Sequence, residues 1–180
     1  PYPRECTFSE NDWEVLSSMW YPLALETELT DKPLKKKLFD VDLVLARLGG
    51  DLIVAKDLCI HRGAPLTNGW IKDDSIVCPY HGYRYDSAGH CVFVPSHPEW
   101  KIPTKLKLQT ILHEVRYGII WGCLNGNPSN QLPLWEPEVS DTKYRRFTLG
   151  PEIWNCSAGR LIENFMDNAH FSFVHQSSFG

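Results

Sequence analysis

Two short segments of the chain each carry one cysteine and one histidine at a spacing suited to metal binding. Cys59 is followed two positions later by His61, and Cys78 is followed three positions later by His81. Two loops of this kind can hold a two-iron, two-sulfide cluster between them, with the thiolates on one iron and the neutral imidazoles on the other. Glycine beside these residues, as at Gly63, lets the backbone turn tightly around such a group. The chemistry of a cluster of this kind is one-electron transfer.

The same four side chains also satisfy the donor requirement of a tetrahedral zinc site. Common zinc fingers place two cysteines in one segment and two histidines in another, whereas each segment of this chain mixes the two types. The mixed order favours the cluster over zinc. The other cysteines are isolated in the sequence, which predicts free thiols and a reducing compartment. They are Cys6, Cys91, Cys123 and Cys156.

A second group of candidate ligands lies near the end of the chain. Steps of three residues place Asn164, Asp167 and His170 along one slowly drifting helix face, because three residues turn about 300°. His175 lies about 140° further round a straight helix, so the helix must bulge or end between the histidines if both bind one metal. Taken alone, this pair of histidines fits a surface or core pair that binds nothing somewhat better than a metal site.

The first group of residues resembles the Rieske pattern, in which Cys-x-His and Cys-x-x-His stand on either side of a spacer, here residues 62–77. The resemblance implies a [2Fe–2S] cluster with Cys59 and Cys78 on one iron and His61 and His81 on the other.

Three residues near these ligands indicate which type of Rieske site the sequence resembles. Respiratory Rieske proteins add a disulfide-bonded cysteine to each loop and a serine that hydrogen-bonds a sulfide. Ala64, Tyr80 and Tyr83 stand at those places in this chain. Fewer hydrogen bonds stabilise the reduced cluster less, so the expected potential is near the low end of the Rieske range, about −150 mV. This is the oxygenase or ferredoxin type of site.

The second group resembles the iron motif Asn-x-x-Asp-x-x-His-x4-His of Rieske non-haem iron oxygenases. The resemblance implies a mononuclear Fe(II) held by His170, His175 and one carboxylate, with positions left open for O2. That carboxylate is an Asp far downstream in the family and is expected outside these 180 residues. Asp167 holds the place of the family's bridging Asp, which links a Rieske histidine of one subunit to an iron-ligand histidine of the next. Asn164 is a further catalytic candidate.

The two-residue separation of Asn164 and Asp167 resembles vanillate O-demethylases and methylxanthine N-demethylases more than ring-dihydroxylating enzymes. The implied function is that of a terminal oxygenase component that hydroxylates or demethylates a small aromatic or heterocyclic substrate. Its implied partners are O2 and a ferredoxin, a flavin reductase or both, which deliver NAD(P)H-derived electrons; its implied assembly is a homotrimer. A Rieske ferredoxin-type electron carrier and the alpha subunit of a ring cis-dihydroxylating dioxygenase are the alternatives.

The sequence patterns around these residues predict short strands and helices, and together an α+β fold. Short apolar runs broken by Gly, Pro, Asn and Asp indicate short strands, with a hairpin at Gly49 and Gly50. We expect an all-β Rieske domain with an N-terminal helix at 1–124, a linker at 125–137, and the beginning of a catalytic domain at 138–180. The resemblance implies a helix-grip fold, an antiparallel sheet plus helices, for that domain, of which this chain would hold only the first part.

Charge and hydropathy exclude several function classes. The net charge is −4 and the only basic run is Lys35–Lys37, so we expect no nucleic-acid partner. The apolar runs are shorter than the roughly 18 residues that a membrane-spanning helix needs. No secretory leader opens the sequence. We therefore expect a cytoplasmic protein without a membrane partner.

Overall fold

The computed structural model describes residues 2–4, 6–135, 140–145, 147 and 149–178. The chain forms two compact units, Pro1–Tyr144 and Arg145–Gly180. The described part of the first unit contains α1 (Glu10–Leu16), β1 (Tyr21–Leu25), β2 (Leu34–Leu38), β3 (Val41–Leu48), β4 (Asp51–Lys56), β5 (Trp70–Lys72), β6 (Ser75–Val77), β7 (Arg84–Tyr85), β8 (Cys91–Phe93), β9 (Leu112–Arg116) and β10 (Ile119–Cys123). The second unit contains α2 (Ala158–Met166) and α3 (Phe171–Val174).

The strands of the first unit form three sheets in which the paired strands are antiparallel. Their orders are β1-β10-β9, β2-β3-β4 and β5-β6-β7-β8. The predicted hairpin joins β3 to β4, where Gly49 and Gly50 have φ values of 59° and 100°. This left-handed backbone is free of strain only for residues without a Cβ.

The long strand β3 separates two hydrophobic clusters of the first unit. Successive side chains of a strand point to opposite faces, so Val44 packs into one cluster while Leu43 and Leu45 pack into the other. Both faces of β3 are therefore buried. The cluster on the Val44 side also contains Cys59 and Cys78, so both cysteines of the predicted ligand loops are built into the main core.

The predicted fold class is confirmed, with a mostly β first unit followed by short helices. Residues 125–135 of the predicted linker belong to the first unit. There the N–H of Asn125 donates to the carbonyl of Ser17 at 3.0 Å, and the N–H of Ser129 to that of Ser18 at 2.8 Å. The predicted domain boundaries stay a prediction. The parts of the three predicted segments that lie outside the described residues are 1, 5, 136–139, 146, 148 and 179–180.

Candidate functional site

The first Cys/His pair lies in a tight turn after β4. The N–H of Cys59 donates to the carbonyl of Ala64, and the N–H of Gly63 donates to the carbonyl of Cys59, both at 2.9 Å. Gly63 has a φ of 71°, which glycine adopts without the strain that a Cβ would cause. His61 lies inside this closed turn.

The second pair lies in a turn of the same construction between β6 and β7. The N–H of Cys78 donates to the carbonyl of Tyr83 at 2.8 Å, and the N–H of Gly82 donates to the carbonyl of Cys78 at 3.0 Å. Gly82 has a φ of 70°. In both loops, then, the cysteine carbonyl accepts a hydrogen bond from a glycine with positive φ, and the cysteine N–H donates to the carbonyl of the residue after that glycine. Two copies of one turn present the two cysteines and the two histidines.

These turns bring the four predicted cluster ligands together and separate them by type. The thiols point into the core, where Cys59 and Cys78 are only 2% and 1% exposed. The imidazoles are exposed, and the ring centroids of His61 and His81 lie 4.5 Å apart with an interplanar angle of 62°. A pair of sulfur donors thus lies on the inner side and a pair of nitrogen donors on the outer side.

The surroundings favour the neutral form of both kinds of donor when no metal is bound. Burial raises the pKa of the Cys78 thiol, although hydrogen bonds from the backbone of Tyr80 and His81 partly oppose this. The pKa of His61 is lowered by desolvation and then by the nearby His81 and Arg62. A low histidine pKa favours the neutral imidazole that binds metal, and a coordinated metal deprotonates a buried thiol.

Tyr85 contacts the site from inside the core. Its hydroxyl lies 3.0 Å from the Sγ of Cys59, and its side chain is fully buried. Burial, followed by the neighbouring Cys59, raises the pKa of Tyr85, so the phenol stays protonated and can donate to a thiolate. Tyr85 is not among the residues predicted from the sequence. The signal that could have marked it is that a buried tyrosine hydroxyl needs a hydrogen-bond partner.

Asp57 closes the base of the first loop. Its carboxylate accepts hydrogen bonds from the N–H of Thr67 at 2.9 Å and from the Thr67 hydroxyl at 2.6 Å, and the residue is only 6% exposed. The N–H of Asp57 donates to the carbonyl of Asp42 on β3 at 2.9 Å. Asp57 therefore links the two ends of the loop that carries Cys59 through its side chain, and links that loop to β3 through its backbone N–H.

The donor arrangement fits a two-iron cluster better than a single ion. Among the residues that the structure describes, no three His, Cys, Asp or Glu side chains converge closely enough to hold one metal ion. A zinc site requires four donors around one point, whereas a [2Fe–2S] cluster of the Rieske type requires two donors at each iron. The buried sulfur pair and the exposed nitrogen pair satisfy the second requirement.

The second group of candidate ligands lies at the junction of α2 and α3. We expected Asn164, Asp167 and His170 on one helix face, but α2 ends at Met166. The Asp167 carboxylate accepts a hydrogen bond from the N–H of Ala169 at 2.9 Å, a local bond that competes with helix continuation. Asp167 thus terminates α2.

His170 and His175 flank the four-residue helix α3, with ring centroids 5.4 Å apart. The break in the helix lies at residues 167–170, before His170, whereas helical hydrogen bonds continue between the two histidines. The expected interruption between the histidines is therefore displaced toward Asp167. The Nδ1 of His170 lies 3.3 Å from a carboxylate oxygen of Asp167, and this buried nitrogen has no aligned hydrogen bond. Asn164 is linked to the group through its backbone, since its carbonyl accepts from the N–H of Asp167 at 3.3 Å.

The two histidines and Asp167 can therefore form part of a metal site. The Nδ1 of His170 faces a carboxylate, which leaves its Nε2 for a metal, the usual arrangement around a ligating histidine. A third ligand is not found near them in the described residues. Separately, within the residues described, no helix has the length and apolar character needed to cross a bilayer.

Comparison with known families identifies both parts of the chain. The Rieske [2Fe–2S] domain family matches residues 19–130, which is more than half of the chain. The vanillate O-demethylase oxygenase C-terminal domain matches residues 154–180. The first match covers both ligand loops and the second covers the histidines of the second group.

Named relatives agree with these matches. The chain is 36% identical to methylxanthine N1-demethylase NdmA of Pseudomonas putida, over 90% of this chain and 48% of that one. It is 33% identical to the oxygenase component of dicamba O-demethylase of Stenotrophomonas maltophilia, over 88% and 47%. A crystal structure of a Pseudomonas putida NdmA mutant with theobromine superposes with a TM-score of 0.85 at 34% identity, covering 95% of this chain and 53% of that one.

The chain spans about half the length of the curated relatives that it matches. The predicted resemblance is confirmed by two family matches in the expected order and by relatives that are oxygenase components. The chain belongs to the Rieske [2Fe–2S] domain family, and its second part resembles the oxygenase C-terminal domain of vanillate O-demethylase.

Proposed function

We propose that this chain is the electron-accepting part and the start of the iron-binding part of a terminal oxygenase component. The protein would hydroxylate or demethylate a small aromatic or heterocyclic compound with O2. The single observation that supports this best is the presence of two separate donor groups in one chain, one on twin turns and one at the α2–α3 junction. An electron carrier needs only the first group.

The residues of the first unit have distinct parts in this proposal. Cys59 and Cys78 would bind one iron through buried thiolates, and His61 and His81 would bind the other at the exposed side. With Cys59 bound as a thiolate, the Tyr85 hydroxyl 3.0 Å away would donate to its sulfur and stabilise negative charge there. A donor protein could approach the exposed imidazoles, and we propose a ferredoxin, a flavin reductase or both as that donor.

In the second unit, His170 and His175 would hold a mononuclear Fe(II), with a carboxylate from outside these residues as the third ligand. The bound cluster would supply single electrons and the mononuclear iron would supply O2 activation. The Asp167 carboxylate lies 3.3 Å from the Nδ1 of His170, and a small rotation of the ring would let it accept the Nδ1 proton and favour the tautomer whose Nε2 can bind iron. We further propose that Asp167 does this at a subunit interface of a homotrimer.

The experiment is metal analysis of the full-length protein and two variants. The parent should contain about three irons and about two acid-labile sulfides per chain, because a cluster holds two irons and the second site one. His170→Ala should lose one iron and keep the visible spectrum of the cluster, whereas Cys59→Ala should lose that spectrum. Two irons in the parent, unchanged in His170→Ala, would make the protein an electron carrier and overturn the proposal.

A further pair of variants tests the part assigned to Asp167. Asp167→Ala should keep all the iron but lose most substrate oxidation, measured as product formed per electron supplied. Glu163→Gln is the matched control: this acidic residue of α2 is exposed and pairs with Arg160 at 2.9 Å, so its loss should leave turnover near the parent value. Equal activity in Asp167→Ala and the parent would remove Asp167 from the mechanism.

A further inference from the structure

Tyr83 lies against one of the exposed histidines in a way that the cluster assignment alone does not explain. Its ring is parallel to that of His61, with an interplanar angle of 8° and a centroid separation of 4.7 Å. The two residues come from different loops, so this contact joins the outer ends of the two turns. It is a specific packing arrangement rather than a consequence of sequence adjacency.

Tyr83 is itself firmly held. Its carbonyl accepts the hydrogen bond from the N–H of Cys78 that closes the second loop. Its side chain is half-buried and packs against the main hydrophobic cluster, which contains Cys59 and Cys78. The Tyr83 ring therefore packs against the same core that holds the two thiols. Of the two stacked rings, that of Tyr83 is more constrained than the exposed ring of His61.

Tyr80 provides an internal contrast. It also contacts a histidine, since its ring centroid lies 4.0 Å from that of His81 at a tilt of 41°. Tyr80 and His81 are neighbours in sequence, however, and Tyr80 is 63% exposed. A ring without support from the core cannot fix the orientation of its neighbour.

Tyr83 also lines a cavity of about 690 Å³ together with residues 96–100, including Trp100. His61 remains exposed to solvent. The parallel stacking therefore covers one face of the imidazole and leaves the rest of the ring open.

We propose that Tyr83 is a positioning residue for His61, because its stacked ring sets the plane of the imidazole and covers one of its faces. The orientation of a ligating imidazole, and the groups packed around it, affect how the metal is held and its redox behaviour. Tyr83 would thus make the two histidines of the cluster unequal. This inference rests on the proposed assignment of His61 as a ligand.

The test uses the full-length, cluster-loaded protein and three variants. Tyr83→Leu removes the ring, Tyr83→Phe keeps it, and Tyr80→Leu is the matched control in the same loop. We expect Tyr83→Leu to change the nitrogen hyperfine couplings of one histidine in the reduced cluster and to shift its reduction potential. Tyr83→Phe should restore the parent values, and Tyr80→Leu should leave both unchanged.

The outcomes are separable from those that concern the proposed function. If the parent lacks couplings from two histidine nitrogens, the ligand assignment fails and this inference fails with it. If the parent has them but Tyr83→Leu matches the parent, or Tyr80→Leu shifts equally, only the inference is overturned. Should Tyr83→Leu fail to assemble the cluster, Tyr83→Met supplies a longer, flexible apolar side chain without a ring and is subject to the same criteria.

Discussion

The two donor groups of this chain are supported in opposite ways. The predicted cluster ligands lie on twin turns whose cysteines are buried in the main core, where Asp57 and Tyr85 contact them or their loop. The described residues of α2 and α3 include no buried side chain, and Phe165 and Met166 of α2 are 67% and 76% exposed. The first donor group is thus completed by local turns within one unit. The second group, as the proposed iron site, needs further residues to complete it.

The largest expected effect comes from replacing a glycine by alanine, and the same replacement can be made in each of the two regions. Gly69, just before β5, has an ordinary φ of −91°, but an added Cβ would lie 2.0 Å from the carbonyl oxygen of Val77. Gly69→Ala should therefore destabilise the first unit by about 3 kcal/mol or more. Unfolding in denaturant, followed by the visible absorption of the cluster, measures this loss.

Gly159 in α2 is the matched position, because an added Cβ would have no atom within 4 Å. Gly159→Ala should stabilise the helix by about 0.5–1 kcal/mol, since alanine loses less backbone entropy than glycine. Hydrogen exchange of the α2 amides reports this gain. If both substitutions destabilised to the same degree, the contrast between a packed and an open region would be wrong.

The sequence was sufficient to predict the fold class and to single out four candidate cluster ligands that the structure brings together, for a physical reason. Metal coordination restricts both the type and the spacing of residues, so Cys59, His61, Cys78 and His81 stand out within short segments. Alternating apolar runs and glycine turns likewise record local strand and hairpin geometry. These features depend on near neighbours in the chain.

Features that depend on distant partners were not predictable in the same way. The hydroxyl of Tyr85 meets a sulfur 26 positions away, and Asp57 meets Thr67 ten positions away, so no local pattern marks either contact. The end of α2 at Met166 was also missed. Helical spacing predicted continuation through Asp167, but the bond from Ala169 to the Asp167 carboxylate stabilises a turn instead.

A smaller effect tests whether the buried Tyr85 hydroxyl changes the reduction potential of the cluster as well as packing beside it. Tyr85→Phe keeps the ring in the core but removes the hydroxyl that lies 3.0 Å from the Sγ of Cys59. Loss of a donor to sulfur disfavours the more negative, reduced cluster, so the potential should fall. A difference of about 1 kcal/mol between redox states corresponds to about 40 mV for a one-electron couple.

A spectroscopically monitored redox titration of the full-length protein checks this value. Tyr80→Phe is the control, because Tyr80 is largely exposed and its hydroxyl lies in no contact that supports a cysteine. Both variants should bind iron fully. An unchanged potential in Tyr85→Phe would mean that the core supports the loops mechanically without tuning the metal group.

The smallest expected effect concerns a surface contact of the same unit. The carboxylate of Asp40, in the turn between β2 and β3, accepts hydrogen bonds from the N–H and hydroxyl of Thr7 at 2.9 and 2.7 Å. The backbone bond, the hydroxyl bond and then Lys37 hold the pKa of Asp40 below its ordinary value. A lowered pKa in the folded state means that the contact stabilises the protein above about pH 4 and that this stabilisation is lost as the pH falls through the folded-state pKa.

Asp40→Asn isolates this charge, because asparagine keeps a hydrogen-bond acceptor and tolerates the left-handed φ of 64° at this position. The denaturation midpoint of the variant should lie slightly below that of the parent at pH 7, and the two should converge as the pH is lowered below 4. Asp40 is solvent-exposed, so the gap at pH 7 should be far smaller than the loss in Gly69→Ala. A gap of similar size, or one that did not change with pH, would mean that surface tethers rather than buried contacts distinguish the first region from the second.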